Sequence, residues 1–394
     1  MDKQLRPFTV AISGLAALAV AMGIGRFAFT PLLPMMQGDL GLTVAQGGWL
    51  ASANYAGYLA GALSAMWVRA GAANVIRGSL VLITAVTIAM GLTGNFVLWM
   101  ILRAAAGIAS AWALVFVSVW CLDRLSRQGH PALGSAVFSG VGAGVALAGL
   151  LCLAMMQMHA TASEAWVVLG VAACVLTAML WPVFGARATA RALSGEPASP
   201  GRYQWTRDGV LLVVCYGIYG FGYIIPATFV PAMAKQIISD PAVFGWSWPL
   251  FGLSAVVATL LTARFAAPGS NRRVWVVCAL VMAAGVAAPA VSPGIVAIMV
   301  AAVCVGATFV VFTMVGMQEA RIVSGAHAKT LMAAMTASFA AGQIAGPLAV
   351  SAFAAPDGSM DAVLIAAAVL LVGSAVAIGF STLKERKPVE ALPE

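Results

Sequence analysis

Two arginines stand in stretches with nothing nearby to balance a charge. Arg26 lies in AMGIGRFAFTPLLPMM, residues 21–36, and no charged residue separates it from Arg6. Arg103 lies in ILRAAAGIASA. A guanidinium stays charged under all ordinary conditions. It presents N–H donors in a flat fork that grips a carboxylate or phosphate at two points. Near the middle of a bilayer such a charge costs from about 3 kcal/mol upward, so it faces a cavity or a partner. The competing reading of Arg26 is a side chain that snorkels outward or clamps a helix end. Other polar groups fall at helical spacing. Tyr216, Tyr219 and Tyr223 recur on one helix face. They either line an amphipathic pocket opposite Arg26 or pack with their hydroxyls on backbone carbonyls. Asn54 and Tyr58 share a face and read as a polar lining. Gln343, among small residues, joins that lining or hydrogen-bonds across helices. Arg103 reads chiefly as structural, since a buried cation pairs with local groups.

The acids are placed differently. All thirteen fall in loops, tails or the ends of apolar stretches. Exchange of a cation for a proton needs a buried group that titrates, and here that group is missing. Two intramembrane arginines without an intramembrane acid favour an anionic substrate. If a proton is coupled, the substrate's own carboxyl or Glu319 at a gate must carry it. No phosphate-binding G-x-x-x-x-G-K-[ST] run occurs, and no nucleophile–base constellation is visible. An enzyme, a metal site and a cofactor are therefore not expected.

These residues must be held by membrane-spanning helices. The chain of 394 residues is 62 % hydrophobic and 9 % charged, with mean hydropathy +0.98. Soluble domains carry about 25 % charged residues. Windows of about 20 apolar residues place spans at 8–36, 45–68, 75–94, 96–121, 133–158, 164–185, 208–234, 243–267, 274–292, 294–318, 329–354 and 360–382. The N-terminal Lys3, Arg6 and apolar run imitate a signal peptide, but the run is too long and reads as an uncleaved first span. With the N-terminus inside, 18 of the 21 basic residues fall in inside loops or tails and only Lys235 falls outside. That bias puts both termini in the cytoplasm, and the basic balance needs no nucleic acid. Residues 187–206 read as a cytoplasmic linker between an N-terminal six-helix bundle, 1–186, and a C-terminal one, 207–394. The six cysteines show no paired spacing and read as small buried residues.

The halves repeat. Gly23, Gly25, Pro34, Met36 and Trp49 recur 197 positions on as Gly220, Gly222, Pro231, Met233 and Trp246. Asp123-Arg124 loosely matches Glu319 with Arg321. Parallel six-span repeats are a transporter layout. At the position equivalent to Arg26 stands Tyr223.

Over essentially its whole length the chain resembles the major facilitator superfamily. RAAAGIASA, with Arg103 and Gly107, is similar to the family's R-x-x-x-G pattern of span four. GVGAGVALAG, with Gly140, Gly144 and Gly149, resembles the glycine pattern of span five, although Val145 replaces its proline and Ala148 a glycine. Gly342, Gly346 and Pro347 keep that pattern in span eleven. The loop after span two departs: Val68 replaces the expected aspartate before Arg69, and the following basic pair is missing. Gating by that charge relay is not assumed. More narrowly, MGIGRFAFTPLLPMM resembles the opening of the YbfB/YjiJ-type transporters, which supports transport without naming a substrate.

The resemblance implies an all-α membrane protein of twelve helices in two pseudo-symmetric bundles. The expected protein is a multi-pass, monomeric secondary transporter of a bacterial inner membrane, working by alternating access. Its partners are a small-molecule substrate, with or without a coupling proton, and the lipid bilayer. The first reading is a small organic anion bound by Arg26, Tyr223, Tyr219, Asn54, Tyr58 and Gln343. Arg103, Gly107, Gly140, Gly144, Gly342, Gly346, Pro347, Asp123 and Glu319 gate or support it. The second is efflux of apolar or amphipathic compounds through a cavity of Trp, Phe and Met. A receptor or scaffold would need a soluble domain that the twelve-residue tail from Leu383 does not supply.

Overall fold

The computed structural model describes residues 5–185, 203–237, 246–265, 269–292, 294–353 and 360–384, and their regular structure is helical. Most of the expected linker, residues 186–202, lies outside the described residues, as do both chain ends. The first apolar run is not one α-helix. Pro7–Leu18 (α1) passes into a nine-residue π-helical stretch, Ala19–Phe27, and then into Phe29–Leu40 (α2). A π register reaches five residues forward, and five beyond Arg26 is Pro31, which has no N–H to give. The repeat-equivalent helix in the second half stays α-helical through Tyr223.

The remaining helices are Val44–Ala65 (α3), Ala72–Leu92 (α4), Phe96–Arg127 (α5), Gly134–Gln157 (α6) and Ala162–Leu180 (α7). They continue as Arg207–Ile237 (α8), Ser247–Phe265 (α9), Asn271–Val291 (α10), Ile295–Ser324 (α11), Ala328–Phe353 (α12) and Asp361–Lys384 (α13). Two helix starts are capping boxes: Thr43 with Gln46 at α3 and Thr161 with Glu164 at α7 each bond their partner's backbone N–H. The helix α5 runs six residues past the expected end at 121, carried by an Arg127–Asp123 pair one turn apart.

Among the described residues nine stretches are long and apolar enough to cross a membrane. One of them, Val296–Val350, contains both α11 and α12, which are joined only by the tight turn Gly325–His327. The helices α3 and α9 fall outside the nine. For α3 the reason is its content of Gly, Ser, Asn, Gln and Tyr.

Packing recurs between the halves. The α1 and π segments lie on α6, as α8 lies on α12. Likewise α3 packs on α5 and α9 on α11, while α4 meets α5 and α7 as α10 meets α11 and α13. The halves join where α3 crosses α12 and α6 crosses α9. In lipid no hydrophobic effect drives helices together, so close backbone contact must. A side-chain carbon on Gly140 would strike the backbone of Leu15, and one on Gly144 that of Ala19. Gly107 stands likewise against Asn54 and Gly342 against Gly217, while Gly346 faces the Ile224 side chain. Pro347 is half-buried one residue further along α12. Trp49 and Trp246, the repeated tryptophans, are 62 % and 49 % exposed.

Candidate functional site

The π-helical stretch presents Arg26 to the junction of α3 and α12. Its side chain is buried, with 3 % exposure. The guanidinium carbon lies 3.6 Å from the centre of the Tyr58 ring, 5.7 Å from Tyr55, 5.6 Å from Phe27 and 6.0 Å from Phe339. A cation over aromatic faces gains about 2 kcal/mol when desolvated. Arg26 Nη2 donates to Gln343 Oε1 on α12, so this contact joins the two halves. Arg26 Nε, Arg26 Nη1 and Gln343 Nε2 are buried and have no hydrogen-bond partner. All three are donors.

Arg103 faces away from this cage. Its Nη1 donates to Gly25 O and its Nη2 to Arg26 O, both at 3.4 Å, and its guanidinium lies 4.6 Å from the Phe29 ring. It thus takes up the carbonyl that Pro31 cannot serve. Asn54 Nδ2 in turn donates to Arg103 O at 3.0 Å and ties α3 to α5. Neither Arg26 nor Arg103 makes an ion pair among the described residues.

The tyrosine stripe belongs to an aromatic cluster beside the cage. Tyr219 donates its hydroxyl to Phe309 O at 2.6 Å and stacks on Phe312. Tyr223 stacks on Phe309, with ring centres 5.4 Å apart. Both meet Phe339, which also lies beside Arg26. The structure therefore brings together Arg26, Tyr58 and Gln343 directly, and Tyr219 and Tyr223 at one remove. Asn54 is spent on a helix–helix tie. Tyr55, Phe27, Phe309 and Phe339 were not singled out from sequence, because an aromatic residue in an apolar span carries no signal by itself. Phe339 was the most accessible, lying one turn before Gln343 on the same face of α12.

Elsewhere the fold compensates a buried arginine fully. Arg272, at the start of α10, pairs with Asp208 of α8 and with Glu319 of α11 at 2.6 Å, and donates to Ser381 of α13 at 3.0 Å. Glu319 is thus a buried ion-pair member, and Arg272 ties four helices through it, Asp208 and Ser381. Asp123 lies apart from it, in the exposed pair with Arg127. At the same basic end, Lys329 Nζ at the start of α12 donates to Val68 O at 2.9 Å. Val68 lies in the loop that follows α3. The backbone of Val68 thus receives a contact from the other half where an aspartate was expected.

A repeated bundle of apolar helices around a polar junction of its halves defines a multi-pass membrane transporter. A family model described as "Uncharacterised MFS-type transporter YbfB" matches residues 18–378, and the chain belongs to this family of the major facilitator superfamily. No curated protein sequence matches it. Among solved structures it is similar to the human organic anion transporter MFSD10 (TETRAN), with TM-score 0.69 and 15 % identity over 95 % of this chain and 100 % of that one. At that identity the likeness concerns the fold.

Proposed function

We propose that the protein is a secondary transporter that moves a small organic anion across a bacterial inner membrane by alternating access, with Arg26 as the anchor. One observation carries the reading. Arg26 is 3 % exposed, bears a full charge, and has two nitrogens without partners. The same fold gives buried Arg272 two carboxylates. The missing counter-charge at Arg26 is best supplied from outside, by the cargo. A carboxylate accepts from Arg26 and Gln343 Nε2 together and relieves an orphaned donor on each. Tyr58 floors the site, while Tyr219, Tyr223 and Phe339 offer an apolar wall to the body of the substrate. Arg103 acts through the backbone of the π stretch and sets where Arg26 points.

In this reading the nine apolar stretches, with α11 and α12 counted separately and α3 and α9 added, make twelve crossings. They form bundles at 1–186 and 207–394 around the linker 187–206, with both termini cytoplasmic and the chain working as a monomer. The basic end is then the cytoplasmic end. The neighbour's description as an organic anion transporter agrees with this reading but does not carry it.

The test is a thermal-shift screen of purified protein against carboxylates, sugars and organic cations, because a bound ligand raises the melting point by mass action. Carboxylates should raise it for the wild type and not for Arg26→Ala. The aromatic cluster favours a second reading, efflux of amphipathic compounds. Protection by uncharged or cationic amphiphiles that survives Arg26→Ala would select it and sink the anion.

A further inference from the structure

We propose that a cavity at the basic end of the first half binds an anionic phospholipid, with its phosphate at the start of α4 and its glycerol ester at Ser79. The site is separate from Arg26 and does not depend on what Arg26 holds. The cavity measures about 270 Å³ and is lined by Val68 and Ala70 of the loop after α3, by Asn74, Gly78 and Ser79 of α4, and by Trp112 of α5. Ser79 is the residue that asks for a ligand. It is 1 % exposed, and its Oγ has no hydrogen-bond partner. Buried hydroxyls at Ser135, Ser139, Thr259 and Thr336 close onto a carbonyl one turn back. Ser79 does not, so a donor is left over on the wall of a cavity. Gly78 beside it leaves room, because an added side-chain carbon there would meet nothing within 4 Å. The Trp112 N–H is already committed to Ser64 Oγ at 2.9 Å, so its ring offers the cavity an apolar wall.

Charge makes the ligand an anion. No side chain caps the first turn of α4 and no acid stands in it, so its N–H groups and the helix dipole favour negative charge. Arg69 stands exposed between the lining residues Val68 and Ala70, and the Lys329 ammonium rests on the Val68 carbonyl. No acid occurs between Asp39 and Asp123, a stretch that includes every lining residue. Depth makes the anion a lipid. The 21 residues of α4, at about 1.5 Å each, cover about 30 Å, the thickness of the hydrocarbon core. The first turn therefore lies at head-group level, near the exposed Trp67. A basic pocket between helices at that level is suited to a lipid phosphate. About two turns deeper, Ser79 can donate to an ester carbonyl, while Gly78 and Trp112 receive the first methylenes.

The experiment titrates the full chain, delipidated in detergent, with dioleoyl phosphatidylglycerol, dioleoylglycerol and sn-glycerol 3-phosphate, and reads bound species by native mass spectrometry. The first phosphatidylglycerol should bind about tenfold tighter than dioleoylglycerol, and glycerol 3-phosphate at equal concentration should not displace it. Gly78→Leu fills the cavity and should weaken phosphatidylglycerol binding by at least about tenfold. Ser79→Ala and Arg69→Ala should each weaken it by about threefold to tenfold. Binding unchanged by Gly78→Leu overturns the site. If that variant does not insert, binding unchanged by both Ser79→Ala and Arg69→Ala does so instead. Dioleoylglycerol binding as tightly as phosphatidylglycerol overturns the role of the phosphate. Displacement by glycerol 3-phosphate makes this a site for a soluble phosphate and overturns the lipid.

Discussion

Arg26 holds its charge between a tyrosine ring and an amide, with no acid paired to it among the described residues. The fork, and not the charge alone, is what this setting exploits. Arg26→Lys keeps the cation but loses two-pronged donation, and should cut carboxylate uptake by about tenfold, equivalent to roughly 1.4 kcal/mol. Arg26→Ala should abolish uptake while the protein still inserts as a monodisperse species on size exclusion. Unimpaired uptake by the Ala variant would remove the anchor from the argument. Arg103 works on the backbone. Arg103→Ala strips the Gly25 and Arg26 carbonyls of their donor and should lower stability by about 2–4 kcal/mol, seen as a fall in melting temperature without any added ligand. That these two residues matter was legible from residue type alone, because a charge in an apolar run has to be explained. Arg103 was already read as chiefly structural, but where each points was not legible: only the fold turns one toward the junction of the halves and the other toward the π stretch.

The helices carry a second asymmetry. The first half breaks into a π register around Arg26, whereas the repeat-equivalent segment around Tyr223 does not. Glycines then fix how closely each segment is held. Gly140→Ala drives a methyl into the Leu15 backbone. It should cost about 2 kcal/mol or more by overpacking, measured as a lower melting temperature. Gly38 meets nothing within 4 Å of an added carbon. Gly38→Ala should therefore leave stability unchanged or raise it by up to about 1 kcal/mol through helix propensity. A similar loss at both sites would mean that close approach at α6 is not what the glycine serves. The repeat showed Gly23 and Gly25 to be architectural from their recurrence. The π register had no such signature, since it arises where Pro31 and the packing against α6 and Arg103 act together.

Across the whole molecule the halves meet at α3 with α12 and α6 with α9, at Arg26 with Gln343, and at Lys329 with Val68. Lys329→Met keeps the aliphatic stem and removes the ammonium. Amides around Val68 and the start of α12 should then exchange hydrogen at least about threefold faster, with a stability loss under about 1 kcal/mol, as for other single exposed-end contacts. Unchanged exchange there would mean that the basic end is closed by other contacts. Composition, hydropathy and the 197-residue repeat were enough to determine a helical membrane protein with duplicated packing. Those properties depend on how many apolar residues must leave water and at what spacing, and both are written along the chain. The hydropathy windows also placed spans at 45–68 and 243–267, where α3 and α9 lie, although neither helix is among the nine stretches long and apolar enough to cross. The partner of Gln343, the compensation of Glu319 by Arg272 and the aromatic cage around Arg26 were decided by tertiary structure alone. Arg26 with Gln343, Arg272 with Glu319 and Arg26 with Tyr58 stand 317, 47 and 32 positions apart, and side chains that distant acquire a common environment only when the helices carrying them pack.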